Sequence, residues 1–254
     1  LHGTGGATIS WTDLIPKMTG SGCVLALDLP GHGFTTGASV DELTLPTMAR
    51  QLHQLFLDLN LEGDVNLVGH SAGAPLAIEW ALQHQDNSKI RFKLRNLIGL
   101  NPSLVPPPQI YTTLLGPIVA PIATSSPMTG MLAFIASNTG MIDQLLDSTG
   151  SAVRPEQRKH YRYLFTQSNH IQGAMGFMAG ADLPSILNRG PRIQTPIHFL
   201  IGAQDPWVKM APLKEAIAKG FPQAQSTTFT GGHILHEEQP EKVAAYLTNI
   251  VRTA

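Results

Sequence analysis

A serine with a glycine two residues away on either side, in VNLVGHSAGAPLAIEW (residues 65–80), is the first place where side-chain type and spacing could do chemistry. A hydroxyl becomes a useful nucleophile only beside a base, an acid that orients that base, and donors that meet a developing oxyanion. Val65, Leu67 and Val68 read as a short buried strand. From Ala72 the apolar spacing lengthens to helical, through Leu76, Ala77, Trp80 and Ala81. Ser71 therefore falls on a strand-to-helix corner. Such a corner needs strained backbone angles, and small residues on both sides let strand and helix approach closely. The same letters would also serve a glycine-rich turn with a helix-capping serine, so the partners must decide.

Two partners stand in order further along. Asp205 follows the apolar run IHFLIGAQ, and His233 follows STTFTGG, each just past a predicted strand end. In this reading Ser71 Oγ is the nucleophile and His233 is general base, then general acid. Asp205 holds the imidazole tautomer and stabilises the imidazolium. The backbone N–H of Ala72 lies at a helix start, where unpaired donors and the dipole favour an anion. A second oxyanion donor is expected from the HGTGG loop, at the N–H of Thr4, with Gly3, Gly5 and Gly6 letting the backbone close on a substrate.

Each of these residues has a plainer role available. Asp205 could form an Asx-turn before Pro206. His236 rivals His233, although its place near the start of the closing helix suggests capping or surface exposure. His70 is expected to face away from Ser71 and reads as a packed or hydrogen-bonded core histidine that borders the substrate together with Gly3. His32, in PGHG, reads as a turn residue. Met128, Met131, Met141, Met175 and Met178 would ordinarily fill a core. Flexible methionines also suit a broad apolar ligand, and Met131, Met175 and Met178 are the ones expected to line it. No His, Cys, Asp or Glu cluster has metal-ligand spacing, so neither a metal nor another cofactor is expected.

The elements that must position these groups alternate. Strands are predicted at 23–29, 65–69, 94–100, 196–201 and 225–230, and helices at 45–61, 71–83, 212–219 and 237–252. The fold class is α/β: a mostly parallel sheet with helices on both faces, binding its ligand beyond the carboxyl ends of the strands. Alternation stops after Asn101. No residue from 96 to 142 is charged, and short helices are predicted at 129–137, 141–147, 155–167 and 170–179. The expected division is a core of residues 1–101 and 194–254 with a helical cap, 102–193, inserted over the carboxyl edge. Segment 114–136 is uncharged, as a membrane span would be, but its prolines, glycines and Thr-Ser-Ser run argue against one. The uncharged face is expected to pack on the sheet, a ligand, a partner or a membrane surface.

Of the 254 residues, 43% are hydrophobic and 14% charged, with a net charge of −1, so a large core is available and no global field recruits nucleic acid. The single cysteine, Cys23, excludes an intramolecular disulfide, fits a reducing cytoplasmic compartment and reads as a small core residue. The start, LHGTGGATISW, lacks the basic and apolar stretches of a signal peptide. Leu1 reads as the last residue of a strand whose earlier part is missing.

The segments LHGTGG, DLPGHG, GHSAG, GAQD and GGH together resemble the α/β-hydrolase superfamily over nearly the whole chain. More narrowly, DLPGHGFT, LTLPTMA, VGHSAGAPLAI, LIGLNPSL, STGS and GHILHEEQPEKVA are similar to the magnesium-chelatase accessory proteins of bacteriochlorophyll biosynthesis (BchO type). The resemblance implies a role near insertion of Mg²⁺ into protoporphyrin IX, with porphyrin and the magnesium-chelatase subunits as partners. It places the triad on Ser71, Asp205 and His233. It also implies N-terminal strands before the HG loop that are absent here. Three functions stay open: a serine hydrolase acting on a tetrapyrrole ester or another apolar substrate, a non-catalytic porphyrin carrier, and a general esterase or C–C bond hydrolase, since HGTGGATISW is also similar to the oxyanion loop of ring-cleavage-product hydrolases.

Overall fold

The computed structural model describes residues 1–18, 20, 22–84, 90–106 and 120–253. Four strands, β1 (Gly63–His70), β2 (Phe92–Leu100), β3 (Ile197–Gly202) and β4 (Gln225–Phe229), form one parallel sheet in that order. His70 pairs with Leu100, Leu100 with Leu200 and Gly202 with Phe229. The chain therefore leaves all four strands near one carboxyl edge, where the segments holding Ser71, Asn101, Asp205 and His233 collect.

Strand side chains alternate between faces, and the alternation sorts the apolar residues into two cores. Leu67, Leu97, Phe199 and Ile201 meet α1 (Leu45–Asp58), α2 (Gly73–His84) and α8 (Met210–Gly220). Val68, Ile98, Leu100 and Leu200 meet Trp11, Leu14 and α9 (Pro240–Thr253). Helix α1 starts where Thr44 caps the N–H of Thr47 and Pro46 sits in the first turn, and it buries the stripe Leu45, Met48, Leu52 and Phe56. Helix α2, directly behind Ser71, is buried from Gly73 to Ala81.

Between β2 and β3 lie α3 (Ser126–Asn138), α4 (Met141–Asp147), α5 (Pro155–Leu164), α6 (Ser168–Ala179) and α7 (Leu183–Arg189). Helix α6 lies backbone-to-backbone on the PGHG turn: a Cβ on Gly173 would stand 1.9 Å from the Gly31 carbonyl oxygen. Helix α7 is tied to α2 by the Arg189 guanidinium, 2.5 Å from the buried Glu79 carboxylate. It was absent from the sequence reading. Its signal was Asp182, whose side chain accepts from the N–H of Ser185, followed by Pro184.

Other expectations need correction. Residues 23–29 form no strand. They take no ladder partner among the described residues, and a groove is lined jointly by Cys23, Val24 and Leu25 and by Val65, Asn66 and Val68 of β1. Cys23 is exposed rather than in the core. The predicted closing helix is broken. A single turn, Leu235–Glu238, precedes α9 because Pro240 biases Gln239 out of the helical region, to φ −134° and ψ 58°. Leu1 runs beside the end of β1, its carbonyl accepting from the N–H of His70 at 2.9 Å. Residues 107–119 of the uncharged stretch lie outside the described residues. Among the described residues no helix is long and apolar enough to cross a membrane.

Candidate active site

Ser71 occupies the left-handed region, φ +50°, which a non-glycine residue enters only at a cost of about 1–3 kcal/mol. The corner is held from both sides. The N–H of Ser71 donates to the Leu100 carbonyl at 2.9 Å, and its carbonyl accepts from the N–H of Ala74 and of Ser103, both at 3.1 Å. The flanking glycines are required by contact: a Cβ on Gly69 would stand 2.3 Å from the Gly73 carbonyl oxygen, and one on Gly73 2.5 Å from that of His2.

Three side chains converge on this corner. His233 Nε2 lies 2.9 Å from Ser71 Oγ, and His233 Nδ1 lies 2.7 Å from Asp205 Oδ2. With Nδ1–H donating to the carboxylate, Nε2 carries the lone pair and accepts a hydrogen bond from the Ser71 hydroxyl. The other carboxylate oxygen, Asp205 Oδ1, accepts from the backbone N–H of Trp207 at 2.8 Å and of Val208 at 2.9 Å. Asp205 thus forms the Asx-type turn of the plainer reading, and the same carboxylate also holds the His233 ring. All three residues are at least nine-tenths buried.

The loop carrying His233 is fixed by residues that sequence reasoning missed. Asn101, just past β2 at φ +43°, donates through Nδ2 to the carbonyls of Gly232 (2.8 Å) and His233 (2.7 Å). Its Oδ1 accepts from the N–H of Gly202. The available signal was an asparagine, a residue that tolerates left-handed backbone, at the carboxyl end of a parallel strand. Ser103 Oγ lies 2.9 Å from Ser71 Oγ. From the helical insertion, the Thr149 carbonyl accepts from the N–H of His233, and Ser151 Oγ accepts from the N–H of Ile234.

The HGTGG loop is equally close. A Cβ on Gly3 would stand 2.7 Å from Ser71 Cβ, so only glycine lets this loop run against Ser71. Among the described residues no hydrogen bond engages the N–H of Ala72 or of Thr4. Both flank the same corner, and both residues line a cavity with Ser71.

Neighbouring histidines are neutral supports. His70 donates through Nε2 to the His233 carbonyl at 2.9 Å, and burial drives its pKa well below the ordinary value. His236 is neither a cap nor exposed. It is fully buried, with its ring centroid 4.6 Å from that of Trp11 and 4.4 Å from that of His70, and burial lowers its pKa to about 3. His32 is also fully buried, against His2, His170 and Phe177, and is more than a turn residue. Beside His236, the Glu237 carboxyl accepts from Tyr161 at 2.5 Å, and burial raises its pKa to about 8.

Two cavities meet over the corner. One is bordered by Gly3, His70, Leu145, Phe165, Trp207 and His233. The other is bordered by Ser71, Ala72, Ser103, Met178, Trp207 and His233. Met178 is thus brought to the site. Met131 is not: α3 turns it outward, half exposed, and it borders neither cavity. Half-buried Met175 also borders neither. Among the described residues no group of three His, Cys, Asp or Glu side chains is placed to hold a metal ion.

A sequence model of the alpha/beta hydrolase family matches residues 1–246. The chain belongs to the alpha/beta hydrolase family. Within and around this family it is similar to the magnesium-chelatase 30 kDa subunit of Rhodobacter capsulatus, 29% identical over 241 residues, covering 93% of this chain and 80% of that one. Its fold is similar to that of the enol-lactonase from Burkholderia xenovorans LB400, with a TM-score of 0.77 and 16% identity, covering 99% of this chain and 89% of that one. It is also similar to a thermophilic esterase from Thermogutta terrifontis, with a TM-score of 0.73 and 22% identity, covering 99% and 88%. At these identities the solved structures speak to the alpha/beta hydrolase fold alone.

Proposed function

We propose that this alpha/beta hydrolase is a serine hydrolase for an apolar, uncharged ester or related bond. The carrying observation is the pair of contacts at His233, 2.9 Å to Ser71 Oγ and 2.7 Å to Asp205 Oδ2, present with no rearrangement required. Ser71 Oγ attacks the carbonyl carbon while His233 Nε2 takes its proton. The N–H groups of Ala72 and Thr4 meet the oxyanion, each such donor contributing about 3–4 kcal/mol to lowering the barrier. His233 then returns the proton to the leaving oxygen, and water, deprotonated by the same imidazole, releases the acyl group. In this reading residues 102–193 act as the cap that excludes solvent.

The likeness to a magnesium-chelatase subunit favours a second reading of the setting: a tetrapyrrole-handling protein that works beside magnesium chelatase. A preformed triad is superfluous in a pure carrier, so the hydrolase reading takes precedence and the tetrapyrrole supplies the substrate. Contact with a membrane surface would fall on the exposed Ile122, Met131 and Phe134. The test is paired. Neutral short-chain esters should be hydrolysed by the wild type and not by Ser71→Ala. Fluorescence of protoporphyrin dimethyl ester should be quenched by both proteins more tightly than by albumin. Ester turnover without quenching would leave a general esterase; quenching without turnover would make the protein a carrier.

A further inference from the structure

We infer that His170, carried on α6 of the insertion between β2 and β3, is a positioning residue for the HGTGG loop: through one neutral imidazole the insertion sets how that loop stands against Ser71. The inference rests on the hydrolase reading above and assigns the insertion a part in it.

Residues 3–6 form a tight turn. The N–H of Gly6 donates to the Gly3 carbonyl at 3.0 Å, and Gly5 takes the left-handed region at φ +70°. The turn is gripped at both ends. At its start, His2 Nε2 accepts from the N–H of Leu29 at 2.9 Å, so Nδ1 carries the proton and donates to the Gly3 carbonyl at 2.8 Å. That carbonyl and the N–H of Thr4 belong to one planar trans peptide and point opposite ways, so whatever fixes the first aims the second. At the far end the grip comes from the insertion. His170 Nδ1 accepts from the N–H of Gly33 at 3.1 Å, so Nε2 carries the proton and donates to the Gly5 carbonyl at 3.2 Å. A turn held only at Gly3 can pivot there. Held at Gly5 as well, it keeps the Thr4 N–H at one angle to Ser71.

The imidazole has no room to move. It is fully buried, edge-on to the rings of His32 and Phe165, with centroids 5.5 Å and 5.3 Å away. Phe165 also closes over Gly5, where a Cβ would stand 3.0 Å from Phe165 Cζ. Close contact of Gly173 with Gly31 fixes the height of α6, and so of the ring, over the loop. Both hydrogen bonds need the neutral ring, because a proton on Nδ1 would face the N–H of Gly33. Burial favours that state, lowering the pKa to about 4. A ring that only filled space would need its size and shape. This one uses one nitrogen as acceptor and the other as donor, each on a different loop.

The experiment separates the two nitrogens. An asparagine amide reaches the place of Nδ1 and not that of Nε2; a glutamine amide reaches the place of Nε2. His170→Asn should therefore keep the Gly33 bond and lose the Gly5 bond, and His170→Gln should do the reverse. With a neutral short-chain ester, His170→Asn should lower kcat about tenfold or more and leave KM within about twofold, as misaiming an oxyanion donor does. The inhibition constant of a small alkylboronic acid, whose adduct with Ser71 Oγ presents an anionic oxygen to the same donors, should rise by a factor like that of the kcat loss. His170→Gln should stay within about threefold of the wild type on both measures. Thermal unfolding is followed alongside, since a purely structural part would lower the stability of both variants without separating their kcat values. Equal kcat in the two variants, a swapped pattern, or an unchanged boronic acid constant beside a lowered kcat would overturn the inference. Should His170→Asn fold poorly, His170→Gln decides: kcat near that of the wild type supports the Gly5 bond, and a loss of about tenfold or more in a folded protein overturns it. Absence of wild-type turnover together with unreactive Ser71 would bring down the hydrolase reading and this inference with it, whereas wild-type turnover with the wrong variant pattern overturns only the part given to His170.

Discussion

Asn101 holds three backbone groups with one amide: the carbonyls of Gly232 and His233 and the N–H of Gly202. Replacing it with alanine leaves the Gly232 carbonyl and the Gly202 N–H without the partner Asn101 supplies, at about 1–3 kcal/mol for each unsatisfied group, while the His233 carbonyl keeps His70 Nε2. Asn101→Ala should lower stability by that order in chemical denaturation. It should also lower kcat for ester hydrolysis more than it raises KM, because His233 loses one of its tethers while the substrate keeps its walls. Unchanged kcat in a destabilised variant would limit Asn101 to a structural part. The convergence of Ser71, Asp205 and His233 was legible because a strand-to-helix corner and two strand ends are marked by local sequence. Asn101, Ser103 and Trp207 were not, since each acquires its part only when loops far apart in the chain arrive at the same edge. His236 was misread for a related reason: proximity to a helix start says nothing about Trp11 and His70 closing over it.

Helix α6 shows how an element is placed by the absence of side chains. Gly173 faces the Gly31 carbonyl and Gly176 faces Leu43, so the helix lies closer to the core than any larger residue allows. Gly173→Val should destabilise the protein by about 1–3 kcal/mol or more through overpacking. Because α6 also carries Met178, it should raise KM for long-chain esters. Thermal unfolding and ester kinetics on the same variant check both effects. The parallel sheet and its flanking helices were readable from alternating periods. The strand expected at 23–29 was not formed because apolar composition can suggest a strand but cannot supply the neighbour that a ladder requires. Helix α7 was overlooked because it is short and its apolar spacing is weak, although its cap at Asp182 was in plain view.

Across the whole molecule, burial of histidine sets the response to pH. His2 and His70 are held well below the ordinary value of 6.5, His32 and His236 at about 3 and His170 at about 4, in each case chiefly by desolvation. The unfolded chain binds protons below pH 6.5 that the folded chain refuses, so stability falls as pH drops through 6.5 toward the folded values. The slope is about 1.4 kcal/mol per pH unit for each such histidine. Glu237 acts in the opposite sense. Its folded pKa of about 8 lies above the ordinary 4.5, so its contribution is full below 4.5 and is lost as pH rises to 8. Melting temperature should therefore drop steeply below pH 6.5 and decline gently from 6.5 to 8, and Glu237→Gln should flatten the second limb and steepen the first between pH 4.5 and 6.5. A melting curve level from pH 4 to 7 would contradict the buried-histidine account.

The central claim is that Ser71 is an activated nucleophile, and the most direct measurement is covalent labelling with a small fluorophosphonate followed by peptide mass mapping. The predicted result is one adduct, on Ser71, formed in the wild type, slowed strongly in His233→Ala and absent in Ser71→Ala. A folded wild-type protein that takes up no label, or takes it up on another residue, would contradict it.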